Sequence, residues 1–282
     1  MKNKKIVIAA AGLAGLGVAL WAASVANRRP LPLQGGQKGQ WNYNDLARDL
    51  LRAAQSNENH KGLVELLATA DAQDLFAQLD TTEKHLAFWM NLYNAYVLLV
   101  LKREPGLYDE KTNFFTRKRI YVARQPLSLD DIEHGILRGG KHKYGLGYLG
   151  QAFPGRFLST FKAERPDPRV HFALNCGANS CPPIILFDHR SLHDQLDWAM
   201  RAFLQAQSHY DPQANTLETS RILLWFLGDF GGKSGILRLL KDLAILPEEA
   251  QPQVNFARYD WRMNLSNFRS FEEGDFAKSP SL

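Results

Sequence analysis

The chain has 282 residues, 45% of them hydrophobic, 22% charged and 11% aromatic, with a formal charge of +5. That is enough apolar material for a full core without structural metals or many disulfides, and it excludes wholesale disorder. Lys2, Lys4 and Lys5 supply three of the five positive charges, so the rest of the chain carries only +2. Charge therefore gives no reason to read a nucleic-acid binder.

After those lysines comes an uncharged run from Ile6 to Ala26, ending in Ser24-Val25-Ala26 and followed by Arg28, Arg29 and Pro30. Residues 1–26 read as a secretory signal peptide, or as an uncleaved N-terminal membrane anchor. The run would span about 31 Å as a helix, but eleven of its 21 residues are Ala or Gly, weakly hydrophobic for a permanent span. Either reading exports the body of the protein, and the expected compartment is a bacterial periplasm, with the protein soluble or tethered to the inner membrane through residues 6–26. Residues 27–40 have linker composition. A single globular domain is expected over 41–265, with a polar tail over 266–282, because no Pro/Gly/Ser-rich linker divides the middle of the chain.

Within that domain, Leu46, Leu50, Leu51 and Ala54 share one face of a helix over Tyr43–Gln55. Gly62–Leu79 reads as a second helix. Thr81 or Thr82 caps a third, whose Leu86–Leu101 stretch is almost continuously apolar and aromatic, so it should run through the centre of the domain until Pro105-Gly106 stops it. Ile120–Ala123 reads as a short strand. Ser128, with Asp131 completing a capping box, starts a helix over Leu129–Arg138 that ends at Gly139-Gly140. Residues 141–168 read as a long excursion and Arg169–Asn175 as a buried strand. Helices follow over Ser191–Gln205, Thr219–Phe230 and Gly235–Leu246, and an aromatic strand over Val254–Leu265. Many helices with few, separated strands predict an α+β fold, predominantly helical, around a small antiparallel or mixed sheet. The clusters Arg117-Lys118-Arg119 and Lys141-His142-Lys143 read as solvated surface.

No phosphate-binding loop, His-Glu-x-x-His or Gly-x-Ser-x-Gly pattern occurs, so no cofactor and no metal is expected. Chemistry concentrates in three places. The first is Val170–Pro183, which delivers Asn175 and Cys176 to a turn at Gly177. Cys176 and Cys181 can form a disulfide in an oxidising compartment or stay inert, Cys176 can serve as a nucleophile, or the two can act as a redox pair; the four residues between them are wider than a Cys-x-x-Cys. A structural zinc would need two further ligands. The second is the central helix, where Asn91 and Asn94 lie on one face amid Trp89 and other aromatics. Buried amides must be hydrogen-bonded, so the two either pin a neighbouring loop or line a site. The third is Asp130-Asp131-Ile132-Glu133-His134, with Arg138 on the same helical face as His134 and Glu133 pointing elsewhere. His134 can serve as a base if it meets Cys176, or be an ordinary structural histidine. His171, five residues before Cys176, would face the opposite side of a regular strand and is disfavoured as a dyad partner.

The segments Ala87–Ala95, Leu127–Arg138, Val170–Pro183 and Tyr259–Asn264 together resemble the domain of unknown function 547 family. That resemblance implies that Asn91, Asn94, Glu133, His134, Arg138, Asn175 and Cys176 belong to one cluster, in an exported bacterial protein. Two functions are open. One is a thiol-dependent hydrolase or acyl transferase acting on amide bonds in the cell envelope. It would use Cys176 as nucleophile, His134 as base, Glu133, Asn91 or Asn94 to orient it, and Asn175, Arg138, His171 and Trp89 to bind. The other is a non-catalytic envelope protein binding a ligand or protein partner, with a Cys176–Cys181 disulfide bracing its loop.

Overall fold

The computed structural model describes residues 41–271 apart from residue 153, so the leader, the linker and residues 272–282 lie outside the described residues. Among the described residues, no helix is long and apolar enough to cross a membrane.

The fold is α+β and predominantly helical. Helix α1 (Tyr43–Ser56) is capped by the Asn42 side chain, which accepts from the Asn44 and Asp45 amides, and it packs along the central helix α4 (Thr82–Arg103). The segment expected as one helix over Gly62–Leu79 is two, α2 (Lys61–Thr69) and α3 (Ala72–Gln78). Asp71 explains the break: its carboxylate caps a new helix by accepting from the Gln73 and Asp74 amides, and Ala70 is extended to let it do so. Helix α4 is apolar on all sides, and from Leu86 to Leu101 every residue but Leu99 is buried, so it forms the axis of the domain. A 3-10 turn at Pro105–Asp109 and the short α5 (Lys111–Thr116) follow it.

Strand β1 (Ile120–Val122) pairs antiparallel with β2 (Gln125–Leu127), a partner the sequence does not advertise. The tight turn between them uses Ala123 and Arg124, both at positive φ, where Gly or Asn would be usual. Their amides donate to the Leu67 and Ala68 carbonyls in the last turn of α2, which offsets the backbone cost. Beyond Ser128 the helix forms with the expected capping box: the Asp131 carboxylate accepts from the Ser128 amide and hydroxyl, and the Ser128 hydroxyl accepts from the Asp131 amide. It is wound as a π-helix over Asp131–Leu137, however, with the Arg138 amide donating to Glu133 and the Gly140 amide to His134.

The excursion over 141–168 contains one helix, α6 (Arg156–Phe161). The buried strand expected over Arg169–Asn175 does not exist. Asp167 and Pro168 open a 3-10 turn over Pro168–Phe172 instead, and Val170 to Asn175 are all buried. A continuous apolar run enclosed on every side carries no period that separates strand from turn. Helix α7 (Leu192–Gln207) lies against this turn.

A mixed sheet closes the far side. Strand β3 (His209–Asp211) is antiparallel to β4 (Thr216–Thr219), and β4 is parallel to β5 (Gln253–Phe256). The helix expected over Thr219–Phe230 shrinks to α8 (Arg221–Trp225), capped by Ser220, and α9 (Gly232–Asp242) follows a pair of left-handed glycines at 231 and 232. The strand expected over Val254–Leu265 ends at Phe256, after which the chain runs irregularly and pairs locally at Ala178 with Met263 and at Ile184 with Phe268. One apolar cluster surrounds α4; a second lies under α8, α9 and the mixed sheet, with Phe172 at its edge.

Candidate functional site

Three buried asparagines organise the loops beside α4. Asn91 donates to the Phe187 carbonyl (2.8 Å) and accepts from the Phe187 amide (3.0 Å). Asn94 donates to the Ala173 carbonyl and accepts from the Asn175 amide, both at 2.9 Å. Asn175 donates to the Pro182 carbonyl and accepts from the Gly177 amide, both at 2.7 Å. Each carboxamide stands in for a peptide and satisfies backbone that has no regular secondary structure. Asn91 and Asn94, considered as groups that orient a catalytic histidine, are fully engaged elsewhere: they hold loops.

The loop they hold carries the cysteines. Cys176 and Cys181 are joined as a disulfide, and the Tyr259 hydroxyl lies 3.4 Å from one sulfur and 3.1 Å from the other. Gly177 sits at φ +85°, with Leu101 so close that a side chain there would collide. Bonds from the Asn264 amide to Gly177, from Asn179 to Arg262 and from Ser180 to Asp260 fasten the loop to the C-terminal segment. The thiol nominated as nucleophile is therefore oxidised, and its polar neighbour is Tyr259, not His134. Burial first, then the nearby Tyr108 and Glu133, pushes the Tyr259 phenol well above its ordinary range.

The charged residues gather separately. The π-helix turns His134 inward, and Arg138 Nη1 donates to His134 Nδ1 at 2.9 Å. With Nδ1 an acceptor, the neutral ring carries its proton on Nε2, which lies 3.7 Å from Asp130. Burial lowers the His134 pKa to about 3 against the pull of Asp130, and Arg138 adds to the lowering. As a base His134 is thus poorly placed, because the lone pair it would use is already committed and its proton affinity is low. Glu133 does not point away: its Oε2 accepts from the Tyr93 hydroxyl (3.2 Å) and its Oε1 lies 3.8 Å from His134 Nδ1. Arg138 is 1% exposed; its Nε donates to Asp229 Oδ2 at 2.7 Å and its guanidinium covers the Phe226 ring at 4.5 Å. His171 is stacked on Phe226 with centroids 3.7 Å apart, and its Nε2 lies 2.9 Å from the same Asp229 oxygen. Burial works to raise the Asp229 pKa, but the bonds from His171 and Arg138 outweigh it and hold it down at about 2. His171 is lowered by burial, so a neutral ring donates to a carboxylate.

Arg138, His171 and Asp229, with Lys141, Pro166 and Gly228, line a pocket of about 180 Å³. Among the described residues neither Arg138 Nη2 nor Asp229 Oδ1 has a hydrogen-bond partner. A larger groove of about 1370 Å³ runs between α3, the start of α4 and residues 159–166, but no residue nominated from the sequence lies in its walls. Trp89, nominated for binding, is fully buried in an aromatic box with Phe88, Phe157 and Phe161 and is part of the core.

Sequence reading missed Asp229 and Tyr259. Asp229 had a signal: it is the one charged residue between Arg221 and Lys233, flanked by Gly228 and Phe230. Tyr259 had one too, since it opens Tyr259–Asn264, one of the segments that carry the resemblance, and Trp225 and Trp261 pack against it.

Residues 76–204 match a family model described as "Protein of unknown function, DUF547", which takes in α4, the π-helix and the cysteine loop but not Asp229 or Tyr259. No curated protein and no solved structure matches the chain.

Proposed function

As a member of the DUF547 family, which carries no assigned chemistry, the protein must be read from its own site, and we propose that it is an exported, non-catalytic protein of the bacterial cell envelope that binds a small amide-bearing ligand. The Cys176–Cys181 bond carries this reading. It removes the thiolate on which an acyl-transfer mechanism depends, and such bonds persist in oxidising compartments. A leader-like Met1–Ala26 accords with a periplasmic location, soluble or tethered to the inner membrane through residues 6–26.

The ligand class follows from the pocket. Arg138 Nη2 offers a donor and Asp229 Oδ1 an acceptor, each on a residue lining the same cavity. An anion would satisfy the first and be repelled by the second, whereas a carboxamide presents C=O and N–H together. Both atoms are covered, so the ligand enters by a small rearrangement of the pocket wall. Gly147, at φ +86°, lies directly over the Asp229 carboxylate, and this contact is the one that must yield.

Two measurements test the reading. Mass spectrometry of protein purified from cells without reductant should find Cys176–Cys181 quantitatively bonded, with no labelling of the native protein by iodoacetamide. A free, labelled Cys176 would sink the proposal. Titration with N-acetyl amino-acid amides should raise the melting temperature of the wild type and leave Asp229→Asn unmoved; equal shifts in both would remove the pocket from the account.

One observation favours a second reading, a thiol-dependent hydrolase or acyl transferase on amide bonds. The Tyr259 hydroxyl is within reach of both sulfurs and would be hydrogen-bonded to a Cys176 thiolate after reduction. Amide hydrolysis that requires a dithiol reductant and vanishes in Cys176→Ser would establish it.

A further inference from the structure

Among the described residues, four of the ten exposed large hydrophobics lie within six positions: Tyr144 is 76% exposed, Leu146 43%, Tyr148 59% and Leu149 61%. They do not belong to a loose loop. The Gln151 amide donates to Gly140 and the His142 amide to Leu149, so residues 140–151 form a closed hairpin, bridged at Lys141 and Gly150. Its tip is fastened to the body by the Gly228 amide, which donates to the Leu146 carbonyl at 2.7 Å, and by the close fit of Gly147 on Asp229. The backbone is fixed while the side chains stay in water. A clustered apolar surface held out in this way marks an interaction site.

The segment of chain that carries it is cationic. From His134 to Ala163 the chain contains no carboxylate. Asp130 pairs with Lys143 at 2.7 Å, but Lys141, Arg156 and Lys162 have no ion pair among the described residues. Protein interfaces are depleted in lysine and select tightly packed aromatics. Tyrosines and leucines between glycines, followed and preceded along the chain by these cations, suit the headgroup layer of an anionic bilayer, where phenols lie at the interface and lysines meet phosphate. We propose that the hairpin 140–151 docks on an anionic phospholipid surface, with Tyr144, Leu146, Tyr148 and Leu149 entering the headgroup region. Because Lys141 also lines the Arg138–Asp229 pocket, docking sets that pocket against the bilayer. The proposal rests neither on the pocket's ligand nor on residues 6–26.

The test uses the full chain carrying Leu146→Trp or, as a second reporter at a site of ordinary backbone, Leu149→Trp. Each is mixed with vesicles of phosphatidylglycerol and phosphatidylethanolamine with or without brominated acyl chains, and the unsubstituted protein supplies the background. The added indole should shift to shorter wavelength and be quenched by the brominated lipid, with much weaker quenching on phosphatidylcholine vesicles. Lys141→Glu and Arg156→Glu in the reporter background should each weaken the quenching interaction by about fivefold or more. An indole that stays unquenched on anionic vesicles at both positions, whether or not the chain sediments with them, overturns the proposal. So does a blue shift that appears without lipid as protein concentration rises, which would make the hairpin a contact between copies of the chain.

Discussion

Two polar clusters are buried within this domain, and they are built on opposite rules. Around α4, Asn91, Asn94 and Asn175 are neutral, and each fills both ends of its amide with backbone groups at 2.7–3.0 Å. Around the π-helix, Arg138 and Asp229 are charged, nearly inaccessible, and each keeps one atom without a partner among the described residues. A satisfied neutral network can be explained by the loops it holds. A buried ion pair is weak evidence for stability, because the cost of desolvating two charges roughly cancels their attraction. Its presence, with an unmet donor and an unmet acceptor beside a pocket, is better explained by something it receives. The residues divide accordingly: the asparagines hold the cysteine loop, and Arg138 with its partners lines the pocket.

The sharpest way to break this comparison is to remove one half of the ion pair. Asp229→Ala leaves the Arg138 guanidinium buried and uncompensated, and should lower stability by about 3–5 kcal/mol in urea titrations. Replacing both partners, as in Arg138→Met with Asp229→Leu, should recover much of that loss, because two desolvation costs disappear together. If the double variant is as unstable as the single one, the pair is structural after all and the contrast with the asparagines collapses.

How much of this was legible in the sequence follows the same division. The central helix, its burial and its two inward asparagines were readable, because sixteen nearly continuous apolar positions after a threonine cap admit little else. The α+β class was readable too. The cysteine segment was not: Val170–Asn175 is enclosed on every side, so its composition resembles a buried strand, while Asp167-Pro168 winds it as a 3-10 turn. That error carried the strand register with it, although His171 is no partner of Cys176 on either account and joins Arg138 through Asp229. The pairing of His134 with Arg138 was visible as i, i+4 spacing. Its consequence, a lone pair occupied by a guanidinium, needed the rotamers.

Smaller effects sharpen the comparison from the neutral side. Asn94→Ala strands the Asn175 amide and the Ala173 carbonyl and should cost about 2–3 kcal/mol, without altering any response to amide ligands. Asn94→Asp should be no better, since it removes the donor while burying a charge. Reducing the disulfide, or making Cys176→Ser with Cys181→Ser, reopens a six-residue loop worth roughly 2 kcal/mol on loop-closure entropy. Asn175, Asn94 and the bonds to residues 260–264 already restrain that loop. A loss well below this figure would therefore show that the hydrogen bonds do the bracing.

The smallest effect is the pH response, and its sign separates the charged cluster from everything else. Burial holds His134 at about 3 in the folded protein and lowers His171 as well, against an unfolded value near 6.5. The unfolded chain therefore binds protons that the folded protein refuses, so stability is fully present above pH 6.5 and is lost as pH falls toward the folded value. Between pH 6 and pH 5 His134 should remove about 1 kcal/mol, and His171 acts in the same direction. Asp229, held at about 2, adds nothing in that window and loses its contribution only below about pH 4. His134→Gln keeps an acceptor for Arg138 while deleting the titration, so its urea midpoint should fall less between pH 6 and pH 5 than that of the wild type. An unchanged slope would mean that His134 takes up its proton in the folded protein. The Arg138 contact would then have to open at mildly acid pH, and with it the basis for calling this cluster closed.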